Sequence, residues 1–435
     1  MSRRVVYLHV GAPKTGTTYL QTLLWQNQDA LRERGVLVPG RNRFSHFSAG
    51  YDLRGVRKNP ADPRRDWQGA WDRLVTQIRR SYLDTAVISD ERLASSTEDD
   101  VQRAVAALEP AEVHVIYVTR DPAGLLCAAW QEHVKQADRR SFDAWLTDTL
   151  KRKPHQWYWK VHDVAAVLRR WGTAVPKDRI HVVTLPPKGS EPGLLWQRFC
   201  SVLGISPDGV NTALPANVSL GRESVELLRR VNEELPRDFP EWQYLGVARN
   251  VLANQVLAGR AEKTPITIDP RLAQQVRDYT DRLVTDIKDS GVQVVGDLGE
   301  LDVAPVVGED APAEPDLTAM AVEGLAGVLV HMGELRDDVR RLRNELDEER
   351  AKRKTAVRRA TKAEATTRQR DEPSKGRLKR RIVELGDRSR LVGGMLSRYR
   401  RLRAVRQRSG TATQAQPRAG AAGPDRAQYK GPNHV

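Results

Sequence analysis

Near its amino end the chain reads Val5-Val6-Tyr7-Leu8-His9-Val10 and then Gly11-Ala12-Pro13-Lys14-Thr15-Gly16-Thr17-Thr18. The first six residues are mostly apolar, which is typical of a strand buried on both faces of a parallel sheet. Apolar side chains at helical spacing follow the second stretch and continue to Gly35, a residue that suits the end of a helix. A buried strand, a glycine-rich turn and a helix in this order predict a phosphate-binding loop.

The spacing of residues inside the loop restricts its chemistry. Gly11 and Gly16, five positions apart, let the backbone curl so that successive N–H groups face an anion. The amino end of the following helix adds partial positive charge. The spacing is that of a P-loop, but Lys14 lies inside the loop and Thr17 stands where a nucleotide hydrolase has its lysine. This departure argues against an ordinary nucleotide kinase or hydrolase.

Beyond the loop, short apolar runs alternate with helical patterns. Predicted strands cover residues 36–38, 86–88, 113–118 and 180–184. Predicted helices cover 67–81, 122–136 and 157–171, and a further helix is opened by residues 96–99. The alternation predicts an α/β fold with a doubly wound, mainly parallel sheet of the P-loop type. Ligands of such sheets bind at the carboxyl ends of the strands, so chemistry is expected after Val10, Ile88 and Val118.

The remaining pattern divides the chain into further segments. We predict a catalytic domain at 1–302, made of a sheet core at 1–203 and a helical subdomain at 204–302, followed by a Pro-rich and acidic linker at 303–317. A coiled coil is predicted at 318–350, then a basic helical segment at 351–408 and a disordered tail at 409–435. The a and d positions of the coiled coil are Leu325, Val328, Met332, Leu335, Val339, Leu342 and Leu346.

Charge and cysteine content restrict the partners and the compartment. The formal net charge of +15 favours a polyanionic partner, namely nucleic acid, an anionic membrane surface or a phosphate-rich cofactor. Much of that excess lies beyond the predicted catalytic domain, in the carboxyl-terminal part of the chain. Cys127 and Cys200 sit among apolar residues in helical patterns, which argues for buried thiols in a reducing compartment. Neither a signal peptide nor a membrane-spanning run is recognised, so we predict a cytoplasmic protein.

The loop and the start of its helix resemble a known family. Pro13-Lys14-Thr15-Gly16-Thr17-Thr18, continued by Leu20-Gln21, is similar to the 5′-phosphosulfate loop of bacterial sulfotransferases that use 3′-phosphoadenosine 5′-phosphosulfate (PAPS), in particular the actinobacterial type. The resemblance extends from Arg3 to about Leu203. It implies that PAPS is the sulfuryl donor and that no metal is required. It also implies that Lys14 contacts the bridging oxygen of the donor, and that Thr15, Gly16, Thr17 and Thr18 hold its 5′-phosphate.

A second donor contact is expected after the predicted strand at 113–118. Arg120 emerges at the carboxyl end of that strand, just before a helix that begins at Pro122. The resemblance implies that this arginine binds the 3′-phosphate together with a serine eight residues later. That later position is Ala128 here, and Gln131 is a candidate replacement for the lost hydroxyl. The alternative is a surface ion pair between Arg120 and Asp121 or another neighbour.

The acceptor side is expected after the strand at 86–88, where Asp90 and Glu91 follow directly. Transfer to a hydroxyl benefits from a general base, and Glu91 is the first choice. The resemblance supports a glutamate, because carbohydrate-type sulfotransferases commonly use one, and it favours a glycan or glycolipid acceptor over a secondary metabolite. His133 is the rival base. The alternative is that Asp90 and Glu91 cap the following turn or pair with Arg92.

Two other functions remain open at the level of sequence. One is a catalytically weakened, nucleotide-binding coiled-coil interaction protein, to which Ala128 gives some support. The other is a P-loop phosphotransferase that needs Mg²⁺ and ATP. The predicted coiled coil suggests a homo-oligomer, and the basic segment suggests an anionic membrane surface as a partner, whereas nucleic acid is not expected.

Overall fold

The computed structural model describes residues 4–56, 58–59, 62–153, 155–212, 219–260, 263–307, 317–388, 394–395, 397–399 and 401. Most of the predicted linker, at 308–316, lies outside the described residues. The same holds for the predicted tail at 409–435 and for the last residues of the predicted basic segment.

The strands form one main sheet and one small hairpin. The strands are β1 (Val5–Gly11), β2 (Val36–Leu37), β3 (Lys58–Asn59), β4 (Asp62–Asp66), β5 (Thr85–Ser89), β6 (Glu112–Thr119), β7 (Ile180–Thr184) and β8 (Gln293–Val295). In the described chain, six strands pair in the order β2-β5-β1-β6-β7-β8, and every pairing in this sheet is parallel. The other two strands, β3 and β4, pair antiparallel. The predicted doubly wound parallel sheet is confirmed.

Helices cover both faces of the sheet and continue beyond it. They are α1 (Thr17–Gln26), α2 (Gln28–Glu33), α3 (Arg43–Leu53), α4 (Ala70–Arg80), α5 (Glu98–Leu108), α6 (Pro122–Val134), α7 (Phe142–Leu150), α8 (Trp157–His162), α9 (Val164–Trp171), α10 (Leu194–Leu203), α11 (Arg222–Glu234), α12 (Glu241–Tyr244), α13 (Pro270–Ser290) and α14 (Thr318–Arg388). A π-helix spans Leu245–Val256, and 3₁₀ turns lie at Glu91–Ser95, Lys177–Arg179, Leu257–Gly259 and Leu298–Leu301.

The single helix predicted at 157–171 was wrong. It is two helices, α8 and α9, that meet at Asp163, where the side chain accepts a hydrogen bond from Ala166 N at 3.1 Å. An aspartate that caps a new helix competes with continuation of the previous one, and the apolar periodicity does not reveal that break.

β1 lies in the middle of the sheet, and its burial explains why it reads as a continuous apolar run. Val6, Leu8 and Val10 are fully enclosed in the core on one face. Tyr7 belongs to a second core on the other face. Because β5 and β6 flank β1 on opposite sides, the chain reverses its winding direction at the carboxyl end of β1, which is where such sheets bind ligands.

The helix α14 is rooted in the first of two compact units, Met1–Leu335 and Arg336–Val435. Met320 is buried in the main core. At Gly327 an added Cβ would lie 2.6 Å from Val256 Cγ2, so the missing side chain lets the helix approach the π-helix closely. The division of residues 303–350 into a linker and a coiled coil stays a prediction.

Candidate active site

The phosphate-loop candidate lies between β1 and α1, as the sequence predicts. Gly16 is the residue before α1 and has φ 87°, and Lys14 has φ 64°, so both adopt the left-handed region. A Cβ at Gly16 would lie 2.6 Å from Leu195 Cδ2, so both its conformation and its surroundings require glycine. Because Gly16 caps α1 without a side-chain hydrogen bond, the N–H groups of the first helical turn stay available to an anion.

Internal hydrogen bonds pin the loop to the sheet. Thr15 is buried, and its hydroxyl donates to Ala12 O at 2.6 Å. The Ala12 N–H donates to Val118 O on β6 at 2.9 Å. Thr17 is buried and Thr18 is exposed. The loop is therefore held in a curled form beside the residues that follow β6.

Lys14 points to a carboxylate that the sequence did not single out. Its Nζ lies 2.5 Å from Glu132 Oε2 on α6, and Arg249 Nη2 on the π-helix lies 2.7 Å from Glu132 Oε1. Burial alone would raise the pKa of Glu132, but the charges of Lys14 and Arg249 outweigh it and hold that pKa below its usual range. Glu132 is thus an ionised carboxylate held by two cations at the mouth of the loop.

Arg120 lies beside the loop and is also paired with its neighbour. Its Nη1 donates to Lys14 O at 3.4 Å, while Nε and Nη2 lie 3.2 and 3.0 Å from Asp121 Oδ2. Asp121 caps α6 by accepting from the Gly124 N–H. A Cβ at Gly124 would collide with the Arg120 guanidinium, so this glycine is what lets Arg120 lie against the start of α6.

Ala128 and Gln131, the two positions considered for the second phosphate contact, both lie on α6. Ala128 lies on α6 and is partly buried. Gln131 lies on the same helix, and its side-chain oxygen is hydrogen-bonded. Its Oε1 accepts from Ser219 Oγ at 3.1 Å and from Leu220 N at 3.2 Å, which ties α6 to the segment before α11.

Glu91 and Asp90 have separate tasks at the end of β5. Asp90 is buried, caps the 3₁₀ turn at Glu91–Ser95 and binds Arg92, with Arg92 Nε 2.9 Å from Asp90 Oδ1. Glu91 instead accepts a hydrogen bond from the Thr17 hydroxyl. Burial raises the pKa of Glu91, and the Thr17 hydroxyl and the nearby cations only partly oppose this. The alternative of capping and pairing therefore applies to Asp90, while Glu91 contacts the phosphate loop.

His133, the rival base, contacts Asp138 and Trp145. Its Nδ1 is 3.7 Å from Asp138 Oδ2, and its ring centroid is 5.4 Å from that of Trp145. Burial lowers its pKa. His9, inside β1, pairs with Ser89 Oγ at 2.7 Å, and burial lowers its pKa to about 3, so it is a neutral core residue.

The sequence missed two residues of this cluster, Glu132 and Arg249. Glu132 lies on α6, and the sequence pattern does not distinguish it from its neighbours Trp130, Gln131 and His133. Arg249 reaches the cluster from a π-helix, an element for which no sequence signal was recognised.

The described residues also bear on metal, thiol and membrane chemistry. No group of three His, Cys, Asp or Glu side chains in that part of the chain is placed to hold a metal ion. Both cysteines are free, and burial raises the pKa of each thiol to about 12. None of the helices within the described ranges is long and apolar enough to cross a bilayer.

Comparison with known proteins finds a similarity of fold to solved structures. No protein-family model and no curated protein matches the chain. The sulfotransferase from Alicyclobacillus acidocaldarius aligns at 19% identity and a TM-score of 0.33, over 50% of this chain and 87% of its own. The sulfotransferase domain of the curacin biosynthetic pathway aligns at 13% and 0.28, over 57% and 97%. The sulfotransferase domain of the Synechococcus PCC 7002 olefin synthase aligns at 11% and 0.26, over 58% and 94%.

The chain is therefore structurally similar to bacterial sulfotransferases over about half of its length. At these identities the similarity concerns the α/β fold, and the chemistry has to be inferred from the residues of the site.

Proposed function

We propose that this chain is a sulfotransferase that uses PAPS and transfers its sulfuryl group to a hydroxyl of a carbohydrate, glycolipid or metabolite. One observation carries the proposal. A loop cation, Lys14, and a partly buried carboxylate, Glu91, meet at a single curled loop whose helix amino end is open to an anion. Such a loop fits a phosphosulfate, and the carboxylate fits a base that acts next to it.

The residues present suit the two phosphates of the donor. PAPS supplies an activated sulfuryl group and leaves as 3′-phosphoadenosine 5′-phosphate (PAP). The N–H groups at the start of α1, with Thr15, Gly16, Thr17 and Thr18, would hold the 5′-phosphate, and Pro13 would shape the turn before Lys14. The guanidinium of Arg120, which already touches the loop, would hold the 3′-phosphate.

Lys14 and Glu91 would perform the chemistry. Lys14 would offset the charge that develops on the leaving oxygen, since a fixed cation stabilises that charge without reorganisation. Glu91 would accept the proton of the attacking hydroxyl and is held towards the loop by Thr17. Lys14 can contact the donor only if its ion pair with Glu132 opens, or if Lys14 binds Glu132 and the donor at the same time.

That same ion pair favours one alternative, a nucleotide-binding protein of low catalytic power. An internal carboxylate that holds the lysine would slow transfer, while the amino end of α1 and Arg120 could still bind the nucleotide.

Calorimetric titration tests the donor. PAP should bind with one site per chain, and ATP with Mg²⁺ should bind at least tenfold more weakly, because the loop lacks a lysine at position 17. Transfer of ³⁵S from labelled PAPS into cell-extract fractions should follow. PAP binding without transfer would favour the low-activity alternative, and tighter binding of ATP with Mg²⁺ would favour a phosphotransferase.

We also propose how the protein is assembled and placed. The apolar stripe of α14 would be covered by a second copy of the chain in a coiled coil. Lys352, Arg353, Lys354, Lys379, Arg380 and Arg381 are exposed on the same helix and would bring a cytoplasmic dimer to an anionic membrane surface.

A further inference from the structure

Three cations surround the carboxylate of Glu132. Each of its oxygens is held by a different cation, with Oε2 2.5 Å from Lys14 Nζ and Oε1 2.7 Å from Arg249 Nη2. Lys135 follows Glu132 by one helical turn, at the end of α6. Burial lowers the pKa of Lys135, the Glu132 carboxylate opposes this effect, and the charges of Lys14 and Arg249 add to it. We name Lys14, Lys135 and Arg249 the cation cluster.

The cation cluster carries more positive charge than the described acids around it. Glu132 is the acid that influences Lys135, and Glu91 is a second acid close enough to be influenced by Lys14. Among the described residues, three cations therefore face two carboxylates. Residues 213–218, next in sequence to a contact of α6, contain no acidic residue. An excess of positive charge at the mouth of a phosphate loop favours an anionic ligand.

The proposed donor needs more positive charge than Lys14 and Arg120 provide. PAPS carries a phosphate monoester and a phosphosulfate, and a monoester alone has a charge of about −1.5 to −2 at neutral pH. Arg120 already shares its charge with Asp121. Arg249 and Lys135 lie beside Lys14 and supply further positive charge at the same place.

We propose that Arg249 and Lys135 bind the phosphosulfate end of the donor together with Lys14, and that Glu132 is an internal competitor for the same three cations. This inference rests on the proposed sulfotransferase function and adds two donor-binding residues to it. A guanidinium binds the oxygens of a phosphate or sulfate as it binds those of a carboxylate, so Arg249 can exchange one for the other. The side chains of Lys14 and Arg249 are 35% and 33% exposed, so a ligand can reach both.

The π-helix is anchored so that Arg249 stays beside α6. The hydroxyl of Tyr244, just before the π-helix, lies 2.8 Å from Asn232 Oδ1 and 3.0 Å from Val134 O. Val134 ends α6, the helix that carries Glu132. The start of the π-helix is thus tied to the helix of the competing carboxylate, and Arg249 can change its partner by movement of its side chain alone.

A double-mutant cycle with Glu132 separates a direct donor contact from an indirect effect. Arg249→Gln alone strengthens the hold of Glu132 on Lys14, which would weaken PAP binding without any contact between Arg249 and PAP. In the Glu132→Gln background this route is absent. There Arg249→Gln should weaken PAP binding about tenfold in calorimetry of the full-length protein, and Arg249→Lys should recover part of the loss. Lys135→Gln should weaken it about threefold, since a lysine is a point charge without a fork.

Two monophosphates locate the contact on the nucleotide. Adenosine 5′-monophosphate keeps the phosphate at the end that is proposed to face Arg249, whereas adenosine 3′-monophosphate lacks it. In the Glu132→Gln background, Arg249→Gln should weaken binding of the first about tenfold and leave binding of the second within about twofold. Arg140→Gln is the matched control, because it removes a positive charge near the end of α6 from an arginine that is paired with Asp138. It should leave both affinities within about twofold.

Three results would overturn the inference. Equal PAP affinities of the Glu132→Gln protein and of the double variant would mean that Arg249 acts through Glu132 alone. Weaker binding of adenosine 3′-monophosphate, with the 5′-monophosphate unchanged, would assign Arg249 to the other phosphate. In both cases the sulfotransferase proposal would stand. Absence of PAP binding by both the wild-type and the Glu132→Gln proteins would refute that proposal and this inference with it.

Discussion

At the scale of single residues, Lys14 is the group on which the proposed transfer most depends. Lys14→Ala should lower turnover about a hundredfold or more, because one preorganised electrostatic contact to the developing charge is lost. Turnover is measured with labelled PAPS, alongside PAP affinity and thermal stability. Unchanged turnover in a folded variant would contradict the donor-site assignment.

Glu132 should act in the opposite sense on donor affinity. Its carboxylate competes with the donor for Lys14 and repels the donor's negative charge. Glu132→Gln should therefore bind PAP about tenfold more tightly in calorimetry. Thermal stability should fall, since Arg249 and the desolvated Lys135 lose a compensating charge. Weaker PAP binding in a folded variant would show that Glu132 supports the donor site and does not compete for it.

The pH dependence of the reaction reports on Glu91. A base must be ionised, and burial raises the pKa of Glu91, so kcat/KM should fall as the pH decreases through a range above that of an ordinary glutamate. The Thr17 hydroxyl stabilises the ionised form, so Thr17→Val should move this acid limb to higher pH. The pH at which the acid limb lies is the test, and not the size of kcat/KM, because Thr17→Val also removes a proposed contact with the donor. A limb that does not move would assign it to another group.

At this scale, the sequence predicts the site residues that directly follow buried strands. Residues directly after buried strands, such as Lys14, Glu91 and Arg120, are brought to one edge by the topology of the sheet alone. Glu132 and Arg249 are brought in by the packing of helices, which depends on crossing angles and on a π-helix that a hydrophobic pattern does not encode.

At the scale of elements, the last strand of the sheet is followed by a partly buried ionic cluster. Arg198 on α10 binds Glu300, with Arg198 Nη2 2.7 Å from Glu300 Oε1, and the hydroxyl of Thr184 donates to Glu300 Oε2 at 2.6 Å. Gly296, with φ 107°, passes so close that a Cβ there would collide with the Thr184 hydroxyl. The cluster and the end of β8 therefore fit together only with glycine at this position.

Gly296→Ala tests this fit. It should lower the free energy of unfolding by about 3 kcal/mol, through the left-handed backbone and the disturbed cluster together. Gly35→Ala is the matched control, since Gly35 has φ 80° but open space around it, and it should cost only about 1 kcal/mol. Denaturant unfolding of both variants gives the comparison. Equal losses would mean that backbone strain alone accounts for the effect.

Prediction of elements succeeded where apolar residues had one clear period. β1, β2, β5, β6 and β7 were predicted, because burial on both faces makes a strand continuously apolar, whereas β3, β4 and β8 were not. The break at Asp163 was missed because the apolar residues of α8 and α9 follow one helical period across it.

At the scale of the whole molecule, α14 leaves an apolar stripe in water. Leu325, Met332, Leu335, Val339, Leu342 and Leu346 are between 46% and 61% exposed, whereas Val328 packs on the core of the first unit. A stripe of this length with a and d spacing favours association with another helix.

Removal of residues 336–435 should therefore convert a dimer to a monomer in analytical ultracentrifugation at micromolar concentration. PAP affinity should be unchanged, and binding to vesicles of anionic lipid should be lost with the basic residues. Leu342→Glu in the full chain is the control, since it should weaken the dimer while it keeps the basic segment. A full-length chain that is already monomeric would refute the coiled-coil dimer.

The packing of the start of α14 on the core limits where the chain can be truncated. Met320 fills part of the main core, and the absent side chains of Gly324 and Gly327 admit Leu252 and Val256 of the π-helix that also carries Arg249. A protease that trims the chain from its carboxyl end should therefore stop near residue 335 and not at the predicted end of the linker. A fragment that ends before residue 318 would lose this lining and should precipitate.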